Sequence, residues 1–187
     1  MGEFKVILFQ MDNNPEQKEQ KRIGTVMVVA MWIVFLVIVM VYFEDVLDKQ
    51  ANPNQSLSTR YTEAGVREVE LQRNRQGHYV TDGFINDQPV VFMLDTGATG
   101  VAVPEHIAKR LQLKRGTMVQ LQTANGIAIG YASTLDSVAV DDIELNDVRA
   151  IINPADDSDV ILLGMSFLKK IEFTQRGNVL ILRQYPQ

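Results

Sequence analysis

Hydrophobic and polar positions divide this chain into stretches with different periods. From Ile23 to Phe43 (IGTVMVVAMWIVFLVIVMVYF) the residues are uncharged and almost wholly apolar on every helical face. A helix of about 20 such residues, rising about 1.5 Å per residue, crosses a hydrocarbon core roughly 30 Å thick. A buried helix of a soluble domain is rarely apolar all round for so long. A cleaved signal peptide has a shorter apolar region followed by small residues, whereas this run ends in Val41, Tyr42 and Phe43 and then acids. The pattern predicts one transmembrane helix over 23–43, after a solvated tail at 1–22 and before a polar linker at 44–65.

Beyond the linker the period shortens to that of strands. Val69 and Leu71 alternate with charged residues, Asn74 to Gly77 reads as a turn, and His78 to Ile85 as an extended segment. After a turn at Asn86-Asp87, Pro89 to Leu94 is a short apolar run, as in a buried strand with its proline at the entrance. A helix is expected over Pro104 to Leu113, with Pro104 at its first position. Val119 to Thr123 and Ile127 to Tyr131 flank Ala124-Asn125-Gly126, a hairpin signal in which Asn-Gly supplies the positive-φ residues. Further strands are expected at Val138–Val140, Ile143–Leu145, Val148–Ile152, Val160–Leu163, Ile171–Thr174 and Val179–Leu182. An acidic loop interrupts them at Asn153–Asp159, and a short helix at Met165–Lys170. The whole is an all-β single domain over 66–187 with one or two short helices, preceded by one membrane helix.

Charge refines this picture. Lys18, Lys21 and Arg22 precede the apolar run and Glu44, Asp45 and Asp48 follow it. Basic flanks favour the cytoplasmic side, so the tail is expected inside and the domain outside, although Lys49 and Arg60 weaken the bias. The 187-residue chain has no cysteine and a formal charge of −5. Thiol catalysis, disulfides and cysteine-based metal sites are excluded. Without a basic stripe interleaved with aromatics, no nucleic-acid partner is expected.

Candidate chemistry centres on Leu94-Asp95-Thr96-Gly97-Ala98. A lone Asp in such a place is ordinarily a turn cap. Here it follows a buried strand, and a glycine beside it permits a tight turn. The stretch resembles the active-site signature of aspartic peptidases, in the Asp-Thr-Gly-Ala form of the retropepsin-like family. Ile161-Leu162-Leu163-Gly164, before a short helix, resembles the family's second signature, with the Asn-Gly hairpin where the family keeps its flap. The anchored plan is similar to that of bacterial membrane-bound members. The resemblance implies a single-lobe barrel with Asp95 as catalytic acid. Thr96 would lock paired loops, Gly97 would admit substrate backbone and Ala98 would line the cleft. Asn125 and Gly126 would lie at the flap, and Leu162, Leu163 and Gly164 would be structural.

There is one such motif and no internal repeat; Thr81-Asp82-Gly83 has the wrong order. Since a peptidase dyad needs two carboxylates, a symmetric homodimer is the expected partner arrangement, acting on peptide or protein substrate. Two close carboxylates share one proton, so one serves as base toward water while the other donates to the scissile carbonyl. The expected cofactor and metal are none. His78 and His106 read as surface residues, and Asp156, Asp157 and Asp159 lack the spacing of a calcium loop. A phosphatase of the haloacid-dehalogenase type would want a second acid at the position of Gly97. A non-catalytic, membrane-tethered peptide-binding domain of the same fold is the rival function, and a purely structural dimerisation module a third. The resemblance to anchored bacterial members implies the periplasm.

Overall fold

A computed structural model of the protein describes residues 15–123 and 126–186. The chain divides between Val46 and Leu47 into a helical unit and a β-rich unit. The first is formed by helix α1 (Pro15–Ala51), whose last residues belong to the second. Its large side chains from Val26 to Phe43 are exposed on all faces, apart from a half-buried residue at Val39. Among the described residues it is the one helix long and apolar enough to cross a membrane. The helix exceeds the expected 23–43 at both ends. Pro15 opens it at a position that needs no N–H, and Glu16 to Arg22 are good helix formers. After Phe43 no glycine or proline intervenes before Pro53, so an existing helix propagates at little cost through residues expected to be linker.

The remainder of that expected linker is built into the domain. Asn54 is 3% exposed. Its amide donates to the carbonyls of Gln72 (2.9 Å) and Val80 (2.6 Å), and its side-chain oxygen accepts from the Gln72 N–H (2.6 Å). Its side chain thus links the end of β2 (Arg67–Gln72) to the start of β3 (Val80–Ile85), and its backbone is bridged in parallel to Thr81. Asn52 donates to Asp82 Oδ1 (2.7 Å), and Asn74 donates to the Ala51 carbonyl (2.9 Å). Short β1 (Arg60–Tyr61) then pairs with β2.

Strand β3 turns into β4 (Gln88–Leu94) through Asn86 and Asp87, both at positive φ (48° and 61°), as a two-residue hairpin turn requires. An unforeseen strand, β5 (Val101–Pro104), follows. Pro104 therefore ends a strand and caps α2 (Glu105–Arg110) instead of opening the helix. Helix α2 stops before the expected Leu113 because Gln112 turns left-handed (φ 54°). The Leu113 N–H then returns to the Ala108 carbonyl (2.9 Å) and that of Gln112 to Lys109 (3.2 Å), a Schellman ending.

Strand β6 (Met118–Thr123) leads to two long strands, β7 (Gly126–Val140) and β8 (Ile143–Asn153). Each joins pieces that the sequence pattern separates. Thr134 and Asp136 face solvent beside buried Leu135, so the polar middle of β7 continues the strand alternation. Then come β9 (Ile161–Leu163), α3 (Met165–Leu168), β10 (Glu172–Arg176) and β11 (Val179–Gln184).

The large sheet has the order β3-β4-β9-β5-β8-β7-β6, and β3 also pairs with β7. Six strands therefore close into a barrel, with β6 held on β7 as a projecting hairpin. Phe92, Leu135, Ile152, Ile161, Leu163 and Phe167 fill its centre and are essentially inaccessible to solvent. A second antiparallel sheet, β1-β2-β11-β10, packs Val69, Leu71, Leu180 and Leu182 onto the same core.

Candidate active site

Parallel pairing of β4 with β9 sets Leu94 opposite Leu163 and Met93 opposite Leu162. At the end of that ladder the Asp95 N–H donates to the Leu163 carbonyl (3.2 Å). The chain then turns sharply. The Ala98 N–H returns to the Asp95 carbonyl (3.2 Å), and the Gly97 N–H donates to Asp95 Oδ1 (2.8 Å). One carboxylate oxygen is thereby oriented by a charge-assisted bond that a backbone donor supplies. Asp95 is half-buried, Thr96 and Gly97 are exposed, and Ala98 is half-buried.

The second motif clasps this loop from beneath. The Met165 N–H donates to the Ala98 carbonyl (2.8 Å). A Cβ on Gly164 would lie 2.2 Å from the Gly100 carbonyl oxygen and 2.5 Å from that of Ala98. Only glycine permits so close an approach, because both obstacles are backbone. Asp95, Thr96, Gly97, Ala98, Leu162, Leu163 and Gly164 are thus brought into one interlocked unit. Ser166 belongs to it and escaped the sequence reading. It is buried, accepts from the Val101 N–H (3.1 Å) and donates to the Arg149 carbonyl (2.7 Å). Its signal was a hydroxyl inside the apolar run Met165-Ser166-Phe167-Leu168, where burial demands a partner.

The projecting hairpin lies elsewhere in the chain's contact pattern. Asn125 falls outside the described residues. Gly126 pairs with Thr123, has φ +111° and is exposed. The expected turn at Ala124-Asn125-Gly126 thus lies in part outside the described residues. Met118, Ile127 and Ile129 on this hairpin leave 65%, 78% and 53% of their surface exposed.

No group of three or more His, Cys, Asp or Glu suited to a metal occurs among the described residues. His78 is exposed, and His106 Nε2 meets Asp159 Oδ1 at 3.1 Å on the surface. Asp156 accepts from the Ser158 N–H (2.9 Å) within its own loop. Away from the loop, burial raises the Asp82 carboxyl above its ordinary pKa, against the lowering effect of the Asn52 amide.

Residues 81–170 match the family model described as "gag-polyprotein putative aspartyl protease". The crystal structure of a retropepsin-like aspartic protease from Rickettsia conorii is similar at 32% identity and a TM-score of 0.55. That match covers 68% of this chain and 95% of the other. An uncharacterized protein in the cobV 5′ region of Sinorhizobium sp is 30% identical over 114 residues, covering 59% of this chain and 49% of its own length. An uncharacterized protein of Rickettsia prowazekii (strain Madrid E) is 27% identical over 127 residues, covering 66% and 53%. The chain spans about half the length of these two curated relatives. The family model covers the Asp-Thr-Gly-Ala loop, the hairpin and the Leu-Leu-Gly clasp together, and the Rickettsia conorii fold is matched almost end to end. This chain belongs to the retropepsin-like aspartic protease family.

Proposed function

We propose that the protein is a membrane-anchored aspartic endopeptidase whose active site forms when two copies each contribute Asp95. The observation that carries this reading is the interlock of the Asp95–Ala98 loop with Gly164, which fixes one carboxylate at the mouth of two parallel strands. A binding domain would need no acid held there. The chain offers one such acid, and Thr96 and Gly97 beside it are open to a second copy. On a two-fold axis the paired carboxylates share a proton. One takes a proton from water as that water attacks the scissile carbonyl, and the other donates to the carbonyl oxygen. In the paired state Thr96 would lock the loops and Gly97 would admit substrate backbone. The hairpin carrying Asn125 and Gly126 would cover an extended peptide, held by main-chain bonds with side chains in alternate pockets.

Residues 23–43 of α1 would span the membrane. Basic residues before them and acids after them favour a tail in the cytoplasm and a domain outside, in the periplasm of a two-membrane bacterium. Cleavage of a mixed peptide library by the full chain in detergent, beside Asp95→Asn, tests the reading. Activity that is lost in the variant and yields to a statine-type inhibitor is expected. Undiminished cleavage by a well-folded Asp95→Asn protein would overturn it.

A further inference from the structure

A cleft of about 790 Å³ opens beside the catalytic loop, with Thr99 and Gly100 in its wall. Four cationic side chains line it, Lys114, Arg115, Arg149 and Lys169, against a single carboxylate, Asp136. Arg115 is partly engaged, ion-paired to Glu105 and stacked 4.6 Å over the Tyr131 ring. Among the described residues Lys114, Arg149 and Lys169 have no ion-pair partner, and all three are exposed. This positive concentration is local, because the chain as a whole carries a formal charge of −5.

Its position is fixed relative to Asp95 by backbone. Ser166 Oγ joins the Arg149 carbonyl to the Val101 N–H, and Val101 pairs with Ala150 in the parallel β5–β8 ladder. A Cβ at Gly100 would lie 3.5 Å from the Arg149 carbonyl oxygen, so β8 runs in van der Waals contact with the end of the catalytic loop. Half-buried Ile151 and Met165 add apolar lining to the same cleft. A cleft lined by both apolar residues and exposed cations suits the methylenes and carboxylate of a glutamate or aspartate. An extended peptide advances about 3.3 Å per residue and presents alternate side chains to one face. A residue a few positions from the scissile bond would therefore fall in this cleft.

We infer that the cleft is a specificity subsite selecting peptide substrates with an acidic residue on one side of the cleaved bond. This rests on the peptidase reading and names the substrate class for it. The test uses the full chain in detergent and peptide sets in which Glu, Gln or Lys is scanned through the positions flanking the cleavage site. One position is expected where Glu raises kcat/KM about 10-fold over Gln, as one charge-assisted contact would. The preference should shrink with added salt. Arg149→Gln should reduce it, and combined Arg149→Glu and Lys169→Glu should invert it in favour of Lys, with circular dichroism confirming the fold. Equal cleavage of Glu, Gln and Lys peptides at every position overturns the inference, as does a preference surviving the double reversal. Fluorescence anisotropy of the same peptides on Asp95→Asn separates the two claims. Charge-selective binding without cleavage by the parent supports the subsite and sinks the peptidase reading, whereas cleavage without charge selection does the reverse.

Discussion

Replacing Gly164 by alanine tests the interlock at its tightest point. The new methyl carbon would sit 2.2 Å from the Gly100 carbonyl oxygen and 2.5 Å from that of Ala98, where ordinary contact begins at 3.4 Å. Relief therefore requires movement of about 1.2 Å at one oxygen and about 0.9 Å at the other, the differences between those distances. No flexible side chain can yield, since both obstacles are backbone of the loop that carries Asp95. Overpacking of a core costs about 1–3 kcal/mol, and a site relieved only by backbone movement belongs at the upper end. At roughly 3–4 °C per kcal/mol for a domain of this size, the midpoint should fall by about 10 °C. Misplacing catalytic groups by about 1 Å costs on the order of 100-fold in rate, so kcat should fall further than stability alone explains. Gly100→Ala is the matched control, because its Cβ would meet the Arg149 carbonyl oxygen at an ordinary 3.5 Å. Thermal unfolding by circular dichroism and peptide cleavage, run on both variants, give the comparison. Equal midpoints and equal rates for the two would refute the close-approach account of the second motif.

Three other perturbations bear on the frame around the site. Asn54→Ala removes three hydrogen bonds of a buried amide and leaves the Gln72 N–H without it, so unfolding should show a loss of about 2–4 kcal/mol; a loss under about 0.5 would mean the segment is not docked. Ser166→Ala should cost about 1–3 kcal/mol by denaturant titration, with Ser166→Thr no substitute in so buried a position; an unchanged midpoint would count against the bridge between Val101 and Arg149. Burial raises the folded-state pKa of Asp82, so its stabilising contribution is complete below the unfolded carboxylate range and is lost as pH rises through the folded value. Asp82→Asn keeps an acceptor for the Asn52 amide and should gain in midpoint relative to the parent between about pH 3 and pH 7; a constant difference across that range would contradict the burial effect.

The family and the two motifs of the candidate site were legible in the sequence because their signals are local. An apolar strand, an acid and a glycine lie within Pro89 to Gly97, and bulky residues before a glycine mark the clasp at Ile161 to Gly164. Strand alternation likewise exposed most of the barrel. The parts that escaped depend on partners far along the chain. Asn52 and Asn54 look like linker residues until Gln72, Val80 and Asp82 are placed around them. Ser166 is one hydroxyl in a short apolar helix until Val101 and Arg149 converge on it. Strand β5 is only four residues long and ends in proline, so neither length nor period distinguishes it from the start of a helix. The extent of α1 was missed for another reason. Charge was read as the end of the helix when it marks only the end of its apolar part.

A mixing experiment tests the two-copy active site most directly. Wild-type chain and Asp95→Asn are co-reconstituted at fixed total concentration, with the wild-type fraction varied and peptide cleavage recorded. If each site needs Asp95 from both copies, random pairing makes activity follow the square of that fraction, about one quarter remaining in an equal mixture. Activity falling in simple proportion, with about one half remaining, would contradict a site shared between two copies.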